Sequence, residues 1–155
     1  VLTGERTQQP LAQMYRGEEI GWGLLRALGR LGDRHQVPLL KRFLADKGDA
    51  AAVACEALIR IGDPVVLQDL IELLHEAQYS PVRTAAIKGI GRFGGQQHAA
   101  LLYPFLRHWD EDFRAAAAAA LGDIGDPEAI ERIRAALAVE SFPWVGEIMQ
   151  NSLGM

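Results

Sequence analysis

The histidines of this chain are its first candidates for metal chemistry. None of the four has a second histidine three or four residues away: His35, His75, His98 and His108. A protein metal site needs such ligands to converge at short spacing. The one adjacent His–Glu pair, His75-Glu76, suits a solvated helix end without any metal. The sequence therefore predicts no metal site.

The single cysteine, Cys55, is the other candidate for chemistry. It has no basic neighbour in sequence that would favour a reactive thiolate, and it aligns with apolar residues in the repeats described below. The glycines do not form a phosphate-binding loop or a nucleophile elbow. We therefore expect a non-enzymatic protein with no catalytic residues and no cofactor.

Composition places the chain among ordinary globular proteins. It has 155 residues, 49% of them hydrophobic, and a net charge of −4. A lone cysteine fits a reducing compartment, and neither a membrane-spanning apolar run nor a signal-peptide core is present in the sequence, so we expect a cytoplasmic protein without membrane contact. Because the chain opens on Val1 and stops partway through a repeated phrase at Met155, we also expect a piece of a longer protein.

The strongest pattern is a six-residue phrase that returns along the chain. It reads Leu-Gly-Arg-Leu-Gly-Asp at 28–33 and returns, with small changes, at 58–63, 90–95 and 121–126. The last glycines of successive copies are 30, 32 and 31 residues apart. A period near thirty is typical of stacked helical repeats.

Each copy of the phrase predicts a helix end and a helix start. A glycine closes one helix in the left-handed conformation, and the following aspartate caps the next. Gly94-Gly95 lacks the capping side chain, so Gln96 or water is expected to replace it, while Asp49 and Ser80-Pro81 predict further helix starts. We predict an all-α chain with alanine-rich helices at 20–31, 50–61, 82–93, 113–124 and 145–155, and partner helices at 35–45, 64–77, 97–108 and 127–138.

Two stretches, Val82 to Gly94 and Phe113 to Pro127, resemble the short HEAT-like repeat named after phycobilin lyases. The resemblance implies a right-handed α-solenoid, an armadillo-like superhelix of helical hairpins with the alanine-rich helices on its concave face. It also implies that Arg83 and Arg114 contact neighbouring loops. The resulting boundaries are an N-terminal segment at 1–17 with a short capping helix, and a repeat domain at 18–155 divided into 18–46, 47–78, 79–109, 110–140 and a partial 141–155.

The resemblance also implies which positions face a partner. The candidate partner-binding residues are Trp22, Arg26, Arg30, Glu56, Arg60, Thr84, Lys88, Arg92 and Asp123, and the same rows continue with Ala52, Ala115, Ala119, Glu147 and Asn151. Arg30, Arg60 and Arg92 would form a basic column. Like charges four residues apart on a helix, as in Lys88 and Arg92, cost about 0.2–0.5 kcal/mol per pair. Their presence despite this cost favours a role in binding a partner. Trp22 would either anchor the partner or lie under the N-terminal segment.

Three functions remain open from the sequence. The leading one is a scaffold that docks an acidic or mixed-charge segment of a protein partner. The alternatives are a subunit of a phycobilin lyase that handles the chromophore, and a structural spacer in a larger chain. The acidic balance of the chain and its lack of interleaved aromatic residues argue against nucleic acid.

The last predicted helix carries an apolar stripe with no later repeat in this chain to cover it. The stripe comprises Val145, Ile148, Met149 and Leu153, with Phe142 and Trp144 just before it. Solenoid ends normally need a polar cap. We therefore expect further repeats, or a second copy of the chain, at this end.

Overall fold

A computed structural model describes residues 19–155, with side chains from residue 21 onward. All regular structure in this part is helical, as predicted, and none of its helices is long and apolar enough to cross a membrane. The predicted segment 1–17 and its capping helix lie outside the described residues. The helices are α1 (Glu19–Leu31), α2 (Val37–Phe43), α3 (Asp49–Ile61), α4 (Leu67–Glu76), α5 (Ser80–Phe93), α6 (Glu111–Ile124), α7 (Pro127–Leu137) and α8 (Pro143–Ser152).

These helices form two layers. The alanine-rich helices α1, α3, α5, α6 and α8 pack in sequence order, each against the next, in a row that we call the inner row after the predicted concave side. The outer row contains α2, α4 and α7 together with the 3₁₀ segments Arg34–Gln36, Leu44–Asp46, Pro64–Val66, Gln96–Leu101 and Tyr103–Arg107. The buried side chains form one continuous apolar core. This stacking of neighbours is that of an α-solenoid, whose right-handed sense stays a prediction.

Three of the four predicted glycine turns take the expected form. Gly32, Gly62 and Gly125 have φ of 67°, 82° and 69°, the left-handed conformation that closes a helix. The aspartate after each glycine accepts a hydrogen bond from a backbone N–H of the next helical segment. Asp126 does so at 2.9 Å from the nitrogen of Ala129, and it also accepts from the Tyr103 hydroxyl of the preceding repeat.

The fourth turn and the segment after it differ from prediction. Gly94 is extended, and the Gly95 N–H donates to Nδ1 of His98 at 3.0 Å, so His98 binds the residue before the next helical segment instead of capping that segment as the aspartates do. The predicted α-helix at 97–108 is wrong, because the chain forms two 3₁₀ segments there. Pro104 explains the break, since proline lacks an N–H and its ring would clash with the carbonyl of Ala100 in an α-helix.

The predicted starts of α3 and α5 are confirmed, although neither uses a capping side chain. The helices begin at Asp49 and Ser80. The Asp49 carboxylate accepts instead from the Tyr79 hydroxyl, and Lys47 binds Glu76 at 2.7 Å. Each of these contacts joins residues about one repeat apart.

The final helix is better covered than expected. Val145 and Met149 of α8 are fully buried, and Ile148 and Leu153 pack partly buried against the core. The expectation that this stripe lies uncovered is wrong, because α6 and α7 already pack against α8. Trp144 is the exposed aromatic residue of this helix, at 42% of its surface.

Candidate functional site

The inner row carries three neighbouring surface cavities, which we treat as one groove. The first two share Glu56, and the second and third share Ala119 and Ile148. We call the three the basic cavity, the alanine cavity and the terminal cavity, and together the inner-row groove. Six of the nine candidate residues line the first two cavities: Arg26, Arg30, Arg60, Thr84, Lys88 and Glu56, the last of which lines both.

The basic cavity lies between α1 and α3 and has a volume of about 230 Å³. Its charged lining consists of Arg26, Arg30, Arg60 and Glu56, above a floor of Val53 and Ala57. The four charged side chains are exposed, and within residues 19–155 they form no ion pair with one another. Guanidinium groups of this kind can bind carboxylates in two-point fashion. The cavity therefore has the chemistry to hold carboxylates.

The alanine cavity, of about 430 Å³, reaches from α3 across α5 and α6 to α8. Its floor is formed by small side chains, and its walls by Trp144 and Ile148: the floor residues are Ala85, Ala115, Ala116 and Ala119. Thr84 and Lys88 line it as well, and Asp110 and Asp112 stand where α6 begins. Asp110 caps this helix by accepting the Asp112 N–H at 2.9 Å. The cavity combines an apolar floor with an acidic edge.

The terminal cavity, of about 320 Å³, lies between α6 and α8. Asp123 and Asn151 line it, which brings two predicted row positions together. Asp123 is thus separated from the three arginines of the basic cavity by the whole alanine cavity.

Two candidate residues lie differently from the simple row. The Arg92 guanidinium approaches Gly62, where an added Cβ would come within 2.9 Å of its Nη2, and it also lies over the Phe93 ring at 5.6 Å. The predicted column therefore joins Arg30 and Arg60 in one cavity, whereas Arg92 leans onto the turn after α3. Trp22 is half-buried against the core, and its Nε1 is buried without a hydrogen-bond partner in the described part of the chain.

Comparison with known proteins identifies the family to which the stacked helices belong. A family model for HEAT repeats matches the chain twice, over residues 18–89 and 80–154. The chain belongs to the HEAT repeat family. Among curated proteins, no relative matches it. The match is to HEAT repeats in general, so the phycobilin-lyase type stays a prediction.

Of the two arginines expected to contact neighbouring loops, Arg114 does so, whereas Arg83 binds the last turn of helix α4. Arg83 donates from Nε to the Leu74 carbonyl at 3.2 Å. Arg114 donates to the carbonyls of His108 and Trp109 and forms an ion pair with Glu140 at 2.7 Å. Hydrogen bonding to Arg114 lowers the pKa of Glu140, because it favours the carboxylate. These arginines hold the HEAT hairpins together and lie outside the groove.

The titratable groups of the HEAT core give no sign of chemistry. Burial is the main reason that the pKa of the Cys55 thiol is raised to about 12, so the thiol stays protonated near neutral pH. In the described range, 19–155, no three His, Cys, Asp or Glu side chains are grouped to hold a metal ion.

Sequence reasoning missed half of the alanine cavity. Ala115 and Ala119 were among the row positions, but Asp110 and Asp112 precede the row and Trp144 was assigned to the uncovered end. The available signal was the order of the repeats, because α8 is the next inner-row helix after α6 and each unit of a solenoid packs against its neighbour. That packing brings Trp144 beside the alanine floor.

Proposed function

We propose that this HEAT repeat protein is a non-enzymatic scaffold that binds an extended segment of a protein partner along the inner-row groove. Solenoids of this kind are typical interaction proteins, because their stacked repeats create long continuous surfaces. The observation that carries the proposal is the basic cavity, where Arg26, Arg30 and Arg60 surround Glu56, the one acidic residue among the described residues of its lining. The expected partner segment is acidic at this end.

The arginines also affect the association rate and the register of such a partner. Opposite charges steer association and fix the register of a bound segment more than they add raw affinity. The remaining predicted contacts are Trp22, Thr84, Lys88, Arg92 and Asp123. Of these, Thr84 and Lys88 line the alanine cavity, which shares Glu56 with the basic cavity.

A random peptide library displayed on phage tests this function without knowledge of the natural partner. We expect the chain to enrich peptides rich in Asp and Glu, and we expect Arg26→Glu with Arg60→Glu to weaken the selected peptides at least about tenfold, because their carboxylates would meet like charges. Arg34→Glu with Arg42→Glu is the matched control, since both residues are exposed on the outer row and the net charge changes equally.

The result that would overturn the proposal is equal binding by the two double variants. Binding should also weaken as salt is raised, because exposed charges are screened beyond about 10 Å at 0.1 M ionic strength. For the phycobilin-lyase alternative, mixing with bilin should produce a new visible absorption band. A chain that selects no peptide and gives no band would instead favour a structural spacer.

A further inference from the structure

The basic cavity and the alanine cavity of the inner-row groove carry opposite charge. The basic cavity has three arginines against Glu56. The alanine cavity has Asp110, Asp112 and the shared Glu56 against Lys88. A partner that satisfies both ends must therefore change its own charge along its length.

The alanine cavity is also suited to bind an apolar side chain. Its floor of alanines lets a side chain come close to the backbones of α5 and α6, and Trp144 and Ile148 form one wall. Trp144 is 42% exposed and so has free ring surface. Tryptophan is enriched among residues that dominate binding energy, and its ring can pack with an aliphatic chain or with a cation.

The spacing of the inner helices sets the distance between the basic cavity and the alanine cavity. The basic cavity lies between α1 and α3, and the alanine cavity is centred near α5 and α6, two helix intervals further on. With about 8–10 Å between packed helices, this is about 18 Å. An extended chain rises about 3.3 Å per residue, so about six residues cover that distance.

We propose that the groove binds an extended, charge-ordered segment of a protein partner. Acidic residues lie on Arg26, Arg30 and Arg60. About six residues away, an apolar side chain enters the alanine cavity against Trp144, next to a Lys or Arg that faces Asp110 and Asp112. This inference rests on the proposed function and adds the chemistry of the partner to it.

The same charge order argues against the other occupants. A nucleic acid carries phosphates along its whole length and would meet Asp110 and Asp112 with like charge. A uniformly acidic peptide has the same difficulty and leaves the alanine cavity unfilled. A segment with both signs in the stated order leaves neither end of the groove opposed by like charge.

Fluorescent peptides of identical composition test the proposal. One has four acidic residues, a neutral spacer of three residues, and then two leucines between lysines. A second has this order reversed, because either chain direction can run along the groove, and a third alternates the charges. Measured by anisotropy at 0.05 M salt, one of the two ordered peptides should bind at least about tenfold more tightly than the alternating one. Equal binding of all three would overturn the inference.

Paired variants locate the binding. Trp144→Ala should weaken the ordered peptide about tenfold, whereas Trp109→Ala should leave it unchanged, since Trp109 is 83% exposed but lies outside the groove. Asp110→Asn with Asp112→Asn should also weaken it, and asparagine keeps the helix cap of α6. An ordered peptide insensitive to Trp144→Ala would overturn the inference.

The failures of the inference and of the proposed function are distinguishable. If acidic peptides bind and depend on Arg26 and Arg60 but not on Trp144, the scaffold function stands and the charge-ordered partner falls. If Arg26→Glu with Arg60→Glu has no effect on any peptide, both fall.

Discussion

Two contacts between neighbouring inner helices, α5–α6 and α3–α5, involve the same two repeat positions. They differ in which of the two facing positions holds the glycine. At α5–α6, Gly91 faces Ala120 so closely that an added Cβ would lie 2.6 Å from the Ala120 Cα. At α3–α5 the position of Gly91 is held by Ile59, and the position of Ala120 is held by Gly89. There, an added Cβ on Gly89 would lie 3.2 Å from Ile59 Cδ1.

The difference shows where the small residue is needed. The contact between α1 and α3 follows the α5–α6 form, since a Cβ on Gly29 would lie 2.7 Å from the Ala57 Cα. The bulky Ile59 is accommodated because glycine has moved to the facing helix. Close approach in this HEAT array is therefore a property of a facing pair, and a single repeat position read alone does not describe it.

The largest effect should come from placing the bulky residue in the wrong contact. Gly91→Ile puts a branched side chain against the backbone of α6, and overpacking a filled core typically costs about 1–3 kcal/mol, so we expect about 3 kcal/mol at this backbone contact. Urea denaturation monitored by circular dichroism measures this as a lower midpoint. Adding Ala120→Gly rebuilds the pairing of Ile59 with Gly89 and should recover part of the loss. A Gly91→Ile chain as stable as the parent would show that the 2.6 Å approach imposes no constraint.

A smaller loss is expected for Gly91→Ala. Alanine improves the helix propensity by about 1 kcal/mol, but its Cβ meets a backbone atom that cannot rotate away. We expect a net loss of about 1–2 kcal/mol, measured in the same way. A gain in stability would mean that α5 and α6 separate without cost.

Gly89→Ala should cost less and depend on its neighbours. The new Cβ meets the ends of the Leu70 and Ile59 side chains, which can change rotamer. We expect a loss of about 1 kcal/mol. In a double-mutant cycle, Ile59→Ala should reduce the cost of Gly89→Ala, and strict additivity would contradict the pairing.

The smallest effect is expected for Gly122→Ala, the corresponding change in α6. The new Cβ would lie 2.9 Å from the Cβ of Ser152 in the last turn of α8, where helix ends adjust easily. Because the gain in helix propensity offsets this contact, we expect a change of about 0.5 kcal/mol or less. A loss as large as that of Gly91→Ala would show that α8 is held as rigidly as α6.

Much of the fold could be predicted from the sequence, because it depends on interactions between residues that are close together in the chain. The glycine turns at Gly32, Gly62 and Gly125 and the aspartates after them are predictable, because each acts within a few residues of its position. The stacked inner helices follow from the period of the phrase. The basic cavity also follows in part, because Arg26 and Arg30 share one helix face.

The features that were not predicted are one local break and two contacts between helices. The 3₁₀ form of Gln96–Leu101 reflects His98 serving the turn at Gly95 and Pro104 breaking the following turn. Arg92 turns towards Gly62 because that turn leaves room for it. The alanine cavity exists only where α8 brings Trp144 beside α6, and no single helix contains that information.

Three side-chain contacts between distant residues can form at different times during synthesis of the chain. Tyr79 with Asp49, Lys47 with Glu76, and Arg114 with Glu140 are 30, 29 and 26 residues apart. At about 5–20 residues per second, a ribosome supplies the later residue of each pair about 1–6 s after the earlier one. Lys47 with Glu76 and Arg114 with Glu140 each close a single unit, whereas Tyr79 with Asp49 joins a unit to the one before it. Each contact can therefore form while later units are still being made.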